Sequence, residues 1–153
     1  MNKFILTTFI IISSLLAQGQ ESSKWNNDLE EAAKLSLKTG KPILANFTGS
    51  DWCGWCIRLK KEVFDKSEFK TWADQNVILL EVDFPRRKKL DEKISTQNRN
   101  LQQNFAQLVR GYPTILLFDV AASDGKLALN PIAKSGYVSG GPKPFIESLN
   151  QEN

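Results

Sequence analysis

Hydrophobic positions fall along this chain in several distinct rhythms. Residues 4–16 are apolar almost without interruption, broken only by Thr7, Thr8, Ser13 and Ser14, and Lys3 precedes them. A short positive start, an apolar stretch below the ~20 residues a bilayer span needs, and small residues at Ala17 and Gly19 predict a secretory signal peptide. Residues 1–19 are therefore expected to be cleaved off before Gln20, leaving one domain over residues 20–153. Further on, residues 25–38 carry Leu29, Ala32, Ala33, Leu35 and Leu37 between charged side chains. That spacing predicts an amphipathic helix, capped by Asn27 or Asp28 and closed by Gly40 and Pro42. Trp25, ahead of it, is expected on the same core.

Three dense apolar runs, residues 43–48, 77–83 and 114–120, read as strands. Between the first two, residues 53–64 predict a second helix with Ile57, Leu59, Val63 and Phe64 facing inward. Residues 67–73 predict a further capped turn that extends or kinks it. Residues 91–109 set Ile94, Leu101, Phe105, Leu108 and Val109 at looser helical spacing, as one long helix or two short ones broken near residues 95–100. A less regular strand is expected within residues 127–137, after an Asp124-Gly125 turn. Pro142 then opens a last helix that buries Phe145, Ile146 and Leu149. Strands joined through a helix run parallel and strands joined by a tight turn antiparallel, so the fold class is α/β, a mixed central sheet with helices on both faces.

Composition narrows the chemistry. The formal net charge is +3, from 20 Lys and Arg against 17 Asp and Glu. A balance so close to neutral gives no reason to expect nucleic acid or an acidic membrane as partner. Arg86, Arg87, Lys88 and Lys89 form a basic run, read as a solvated helix start rather than a docking patch. The sequence contains no histidine, which removes the usual general base and the commonest zinc ligand.

The two cysteines of the chain are Cys53 and Cys56, in Trp52-Cys53-Gly54-Trp55-Cys56. Closing so short a loop stabilises a fold by only about 2 kcal/mol before strain, so the spacing is poor for a structural staple. It suits redox chemistry. At a helix start, free N–H groups and the helix dipole favour the Cys53 thiolate, and Cys56 lies one turn behind, able to displace whatever Cys53 captures. A zinc site would be two ligands short unless a second copy supplied them, so no metal and no cofactor beyond the Cys53–Cys56 disulfide are expected.

Two motifs carry a resemblance to the thioredoxin superfamily. One is Trp52-Cys53-Gly54-Trp55-Cys56 after a strand, and the other is Gly111-Tyr112-Pro113-Thr114 leading into a strand. The latter resembles the family's cis-proline loop, which faces the cysteines. Residues 47–56, Phe-Thr-Gly-Ser-Asp-Trp-Cys-Gly-Trp-Cys, are similar to those of exported bacterial thioredoxin-like proteins. The resemblance implies a thioredoxin-like fold and a thiol–disulfide oxidoreductase, with Cys53 as nucleophile and Cys56 as resolving thiol. Trp52, Gly54, Trp55, Tyr112, Pro113 and Thr114 would line the substrate surface. Protein disulfides or dithiols would be the substrates, a membrane protein the electron donor, the periplasm or exterior the location, and a monomer the working form.

The same resemblance exposes departures. Many thioredoxins carry a buried carboxylate on the strand before the active site, and here that position is Asn46, which cannot ionise. The Cys56 proton must then pass through water or to another carboxylate, with Glu81 (expected at an edge or surface) and Asp83 as candidates. Asp51 would oppose a Cys53 thiolate and Arg58 would favour it. A thioredoxin-fold binding or chaperone-like module with little turnover is the competing reading, sustained by Trp52, Trp55 and Asn46.

Overall fold

A computed structural model describes residues 24–123 and 125–150. The proposed signal peptide and Asp124 of the predicted turn lie outside the described residues. The elements are α1 (Leu29–Thr39), β1 (Ile43–Thr48), α2 (Gly54–Leu59), α3 (Ser67–Asn76), β2 (Ile78–Asp83), α4 (Glu92–Asn104), β3 (Thr114–Ser123), β4 (Lys126–Ser135) and α5 (Pro142–Ser148). The sheet order is β2-β1-β3-β4, with β1 parallel to β2 and both the β1–β3 and β3–β4 pairs antiparallel.

Strand alternation divides the core into two layers. Ile43, Ala45 and Phe47 of β1 point to one face, where Leu80, Val82, Leu116 and Phe118 meet α1 and α4 through Ala32 and Leu101. Leu44 points to the other, where Leu79 and Ile115 meet Leu59, Val63, Phe69 and Phe145. All six residues of β1 are buried, as a strand covered on both faces requires. Asp28 caps α1 by accepting the amides of Glu30 and Glu31, and Gly40 closes it at φ 72° with its N–H on the Ser36 carbonyl.

Several local expectations are corrected. The second helix is α only through Leu59 and continues as a π-helical turn, Lys60–Phe64. Cys56 and Leu59 take the inward direction, so Ile57, about 200° around the helix from Leu59, stands 49% exposed instead of packing. Ser67–Asn76 is a helix in its own right. Of the two alternatives for the long polar segment the single helix holds, unbroken over Glu92–Asn104 and capped by Asp91 on the Lys93 amide. The basic run is not a helix start but a bent loop, because its amides are engaged elsewhere, as described below. Trp25 packs on Phe64 at 5.0 Å in the layer opposite α1. It gets there because Asn26 bridges the outer edge of β2, donating its N–H to Leu79 and accepting from Glu81.

Candidate active site

The chain leaves β1 at Thr48 and turns at once. The Trp52 and Cys53 amides both donate to the Gly49 carbonyl, at 3.2 and 2.9 Å, and Cys53 becomes the N-cap of α2. Its sulfur accepts the Cys56 N–H at 3.3 Å and is joined to Cys56 in a disulfide. Both cysteines are buried, Cys53 at 7% and Cys56 at 4% exposure, and Cys56 also lines the cavity behind the turn.

The Tyr112–Pro113 peptide bond is cis, and β3 begins immediately after it. Antiparallel pairing of Phe47 with Thr114 brings this loop to the end of the sheet from which the dithiol turn departs. The two meet through Trp52, whose ring lies edge-on to Tyr112 at 5.9 Å. Trp52 Nε1 donates to the Phe84 carbonyl at 2.8 Å, and the Phe84 ring stacks on Tyr112 at 5.4 Å. Of the remaining sequence-predicted residues, Trp55 is 56% exposed, and Gly54 is exposed with open space where a Cβ would stand. Thr114 is buried, with its hydroxyl donating to the Gly111 carbonyl at 2.7 Å, so its side chain braces the loop instead of lining an open surface.

Gly49 was not singled out by the sequence beyond its place in the stretch over residues 47–56. A Cβ there would run into the Trp52 indole, which the Phe84 hydrogen bond holds in place. Gly49→Ala is expected to push the indole off that carbonyl at a cost of about 1–3 kcal/mol. Urea unfolding and near-ultraviolet circular dichroism check it, and an unchanged midpoint with an unchanged tryptophan signal would show that the ring has room.

Behind the dithiol lies a cavity of about 110 Å³ lined by Cys56, Asn46, Thr48, Ser50, Lys60 and Glu81, among others. Parallel register places Asn46 beside Glu81, and strand alternation turns both toward the face that α2 covers. The Asn46 Oδ1 atom is buried without a hydrogen-bond partner among the described residues. Glu81 is on the edge strand as expected, yet half-buried. Burial first, and the neighbouring Asp83 second, push its carboxyl above the ordinary glutamate range. Asp83 itself is engaged elsewhere: it accepts the Ser50 amide and hydroxyl at 2.9 and 2.6 Å and pairs with Lys88 at 2.9 Å.

A family model described as thioredoxin-like matches residues 24–120. The chain belongs to the thioredoxin-like family. It is 33% identical over 119 residues to the disulfide bond reductase DsbH of Chlamydia pneumoniae, covering 78% of this chain and 66% of that protein. It is 31% identical over 107 residues to the thioredoxin-related protein DsbJ of the same organism, covering 66% of this chain and 31% of that one. The solved structure of a DsbH oxidoreductase superposes with a TM-score of 0.70 at 28% identity, over 96% of this chain and 90% of that one.

Around this thioredoxin-like centre the charged side chains are already committed. Asp51 accepts the amides of Arg86, Arg87 and Lys88 at 3.0, 2.7 and 3.2 Å. Those bonds, the Arg86 amide above all, hold its carboxyl below the usual aspartate range. Arg58 pairs with Glu62 at 2.8 Å and lies over the rings of Trp55 and Tyr137, at 5.5 and 5.4 Å. Tyr137 donates to Glu62 at 2.6 Å, and the two contacts, the tyrosine first, lower the Glu62 carboxyl. Neither Asp51 nor Arg58 is thus an unengaged charge set to tune the sulfur. Tyr137 comes from the loop after β4, and no sequence signal linked it to Trp55. Among the described residues, no group of three or more His, Cys, Asp or Glu side chains could hold a metal ion.

Proposed function

We propose that the protein is a thiol–disulfide oxidoreductase that acts on protein disulfides outside the cytoplasm. The observation that carries this reading is the Cys53–Cys56 disulfide at a helix start, with Trp52 linking it to the cis-Pro113 loop. The reductive direction follows the relative named disulfide bond reductase. In it, the Cys53 thiolate, favoured by the Cys56 N–H, attacks one sulfur of a substrate disulfide. A mixed disulfide forms, and the other substrate sulfur leaves as a thiolate that takes a proton from solvent. Cys56 then gives up its proton and attacks the Cys53 sulfur. The second substrate thiolate departs, and the two electrons of the dithiol now reside on the substrate.

The proton of Cys56 passes to Glu81 through water in the cavity that both residues line. A carboxyl raised by burial is closer in affinity to a thiol than an ordinary glutamate, which makes it the better acceptor. Run backward, protonated Glu81 supplies the proton when a donor opens Cys53–Cys56. Backbone groups of the Tyr112-Pro113-Thr114 loop hold the substrate segment in an extended form, and Trp52 and Trp55 cover its apolar side chains. A membrane protein is the proposed electron donor, and residues 1–19 are the proposed export signal, checked by the amino terminus of protein recovered from the cell envelope.

Reduction of insulin, driven by dithiothreitol, tests the reading against the binding-module alternative. The wild type is expected to accelerate precipitation of the reduced chains, and the Cys53→Ser/Cys56→Ser double variant to give the rate of dithiothreitol alone. Equal rates with intact peptide binding would replace the enzyme with a binding module.

A further inference from the structure

Resting on the oxidoreductase reading, we propose that Arg86 is a carboxylate receptor at the rim of the active site, selecting disulfides flanked by an acidic residue. Its guanidinium carbon lies 3.9 Å over the Trp52 ring, the ring that also touches Tyr112 beside Pro113. The dithiol, the cis-proline loop and this cation therefore share one surface through a single indole. Among the described residues the Arg86 side chain has no carboxylate within ion-pair distance and no hydrogen-bond acceptor; its amide alone is tied, to Asp51. A guanidinium laid on an aromatic face keeps its N–H fork in plane and open at the edge, the geometry that grips a carboxylate with two bonds.

Nearby acids do not compete for it. The Asp51 carboxylate is spent on three loop amides, Asp83 on Ser50 and Lys88, and Asp91 on the cap of α4. Glu81, which lines the cavity behind the dithiol, and Glu92, in the first turn of α4, are the remaining acids close in sequence, and neither pairs with Arg86 among the described residues. Asp51 lies two residues before Cys53, so its triple contact clamps the loop within about 7 Å of chain from the dithiol. That clamp persists wherever Asp51 is ionised, and its lowered carboxyl keeps it so through the neutral range. Arg87 and Lys89, exposed and without a side-chain ion pair among the described residues, add same-sign charge to the same loop. The occupant that fits is an Asp or Glu side chain one or two residues from the substrate cysteine.

The test uses two synthetic peptides, each closed by one disulfide and identical except for Glu or Gln beside the attacked cysteine. The wild type is expected to favour the Glu peptide in kcat/KM on the order of tenfold at low salt, with the preference shrinking as salt is added. Arg86→Gln is expected to bring the ratio to about one, and Arg86→Lys, which keeps the charge and loses the fork, to an intermediate value. Arg87→Gln should lower only the salt-dependent part. Two reduced peptides with equal kcat/KM in the wild type overturn the proposal, as does a preference that survives Arg86→Gln. Reduction of neither peptide overturns the oxidoreductase reading and this receptor with it.

Discussion

Cys53→Ser is expected to bring insulin reduction down to the rate of dithiothreitol alone, while Cys56→Ser leaves the first attack intact and strands the protein in mixed disulfides. The asymmetry follows from the site. Cys53 caps α2 and its sulfur accepts the Cys56 N–H, whereas Cys56 lines the cavity behind it. A hydroxyl at position 53 stays protonated at neutral pH and cannot replace the thiolate as nucleophile. A hydroxyl at position 56 cannot release what Cys53 has captured. Non-reducing gels of envelope extracts check both halves: covalent adducts should accumulate with Cys56→Ser and be absent from Cys53→Ser. Adducts in equal amounts from both variants would reverse or remove the assignment.

The second large effect is expected at Glu81. Replacing the carboxylate with the neutral amide in Glu81→Gln removes the acceptor and should slow decay of the mixed disulfide about a hundredfold, the lower end for general-base catalysis because the proton crosses water. Formation of the mixed disulfide should not change. The pH dependence has a definite sign. Glu81 accepts a proton only when ionised, so the wild-type decay rate bends downward as pH drops through its raised pKa, and in Glu81→Gln that bend disappears and leaves only the dependence set by ionisation of Cys56 itself. Burial raises this pKa first; of the charged groups around it, Asp83 on the same strand raises it further, and Lys88 and Lys60, from the packed loop and the π-helical turn, lower it. Linkage gives an independent readout: a folded pKa above the unfolded value favours the protonated form. The contribution of Glu81 to stability is therefore fullest below the ordinary glutamate pKa and declines as pH rises through the raised one. Glu81→Gln should flatten that decline. Single-turnover decay and urea midpoints across pH check both, and unchanged curves would send the proton elsewhere.

The centre of the site was legible because it is written in local sequence. Two cysteines three residues apart after an apolar run, and a Tyr-Pro before another, set the dithiol and the proline loop without tertiary information. Strand periodicity likewise placed the sheet, since a run such as residues 43–48 is buried on both faces wherever it sits. What the sequence did not show is what crosses between elements. Ile57 reads as apolar and inward, but the directions of Cys56 and Leu59 turn it to solvent. Arg86, Arg87, Lys88 and Lys89 read as a solvated helix start, yet their fold depends on Asp51, 35 to 37 residues away in the chain. Glu81 reads as an edge residue, and only the β1–β2 register with the cover of α2 shows it sharing a cavity with Cys56. Tyr137 joins Trp55 from the far end of the domain, a contact that pattern and propensity do not encode.

Titration of the native protein against glutathione redox buffers, followed by tryptophan fluorescence and by alkylation of Cys53 and Cys56, tests the central claim most directly. A working exchange site predicts one reversible two-electron transition, with both thiols becoming reactive together while the fold stays intact. A disulfide that remains closed in every buffer and opens only when the chain unfolds would contradict it, leaving Cys53–Cys56 as a structural link.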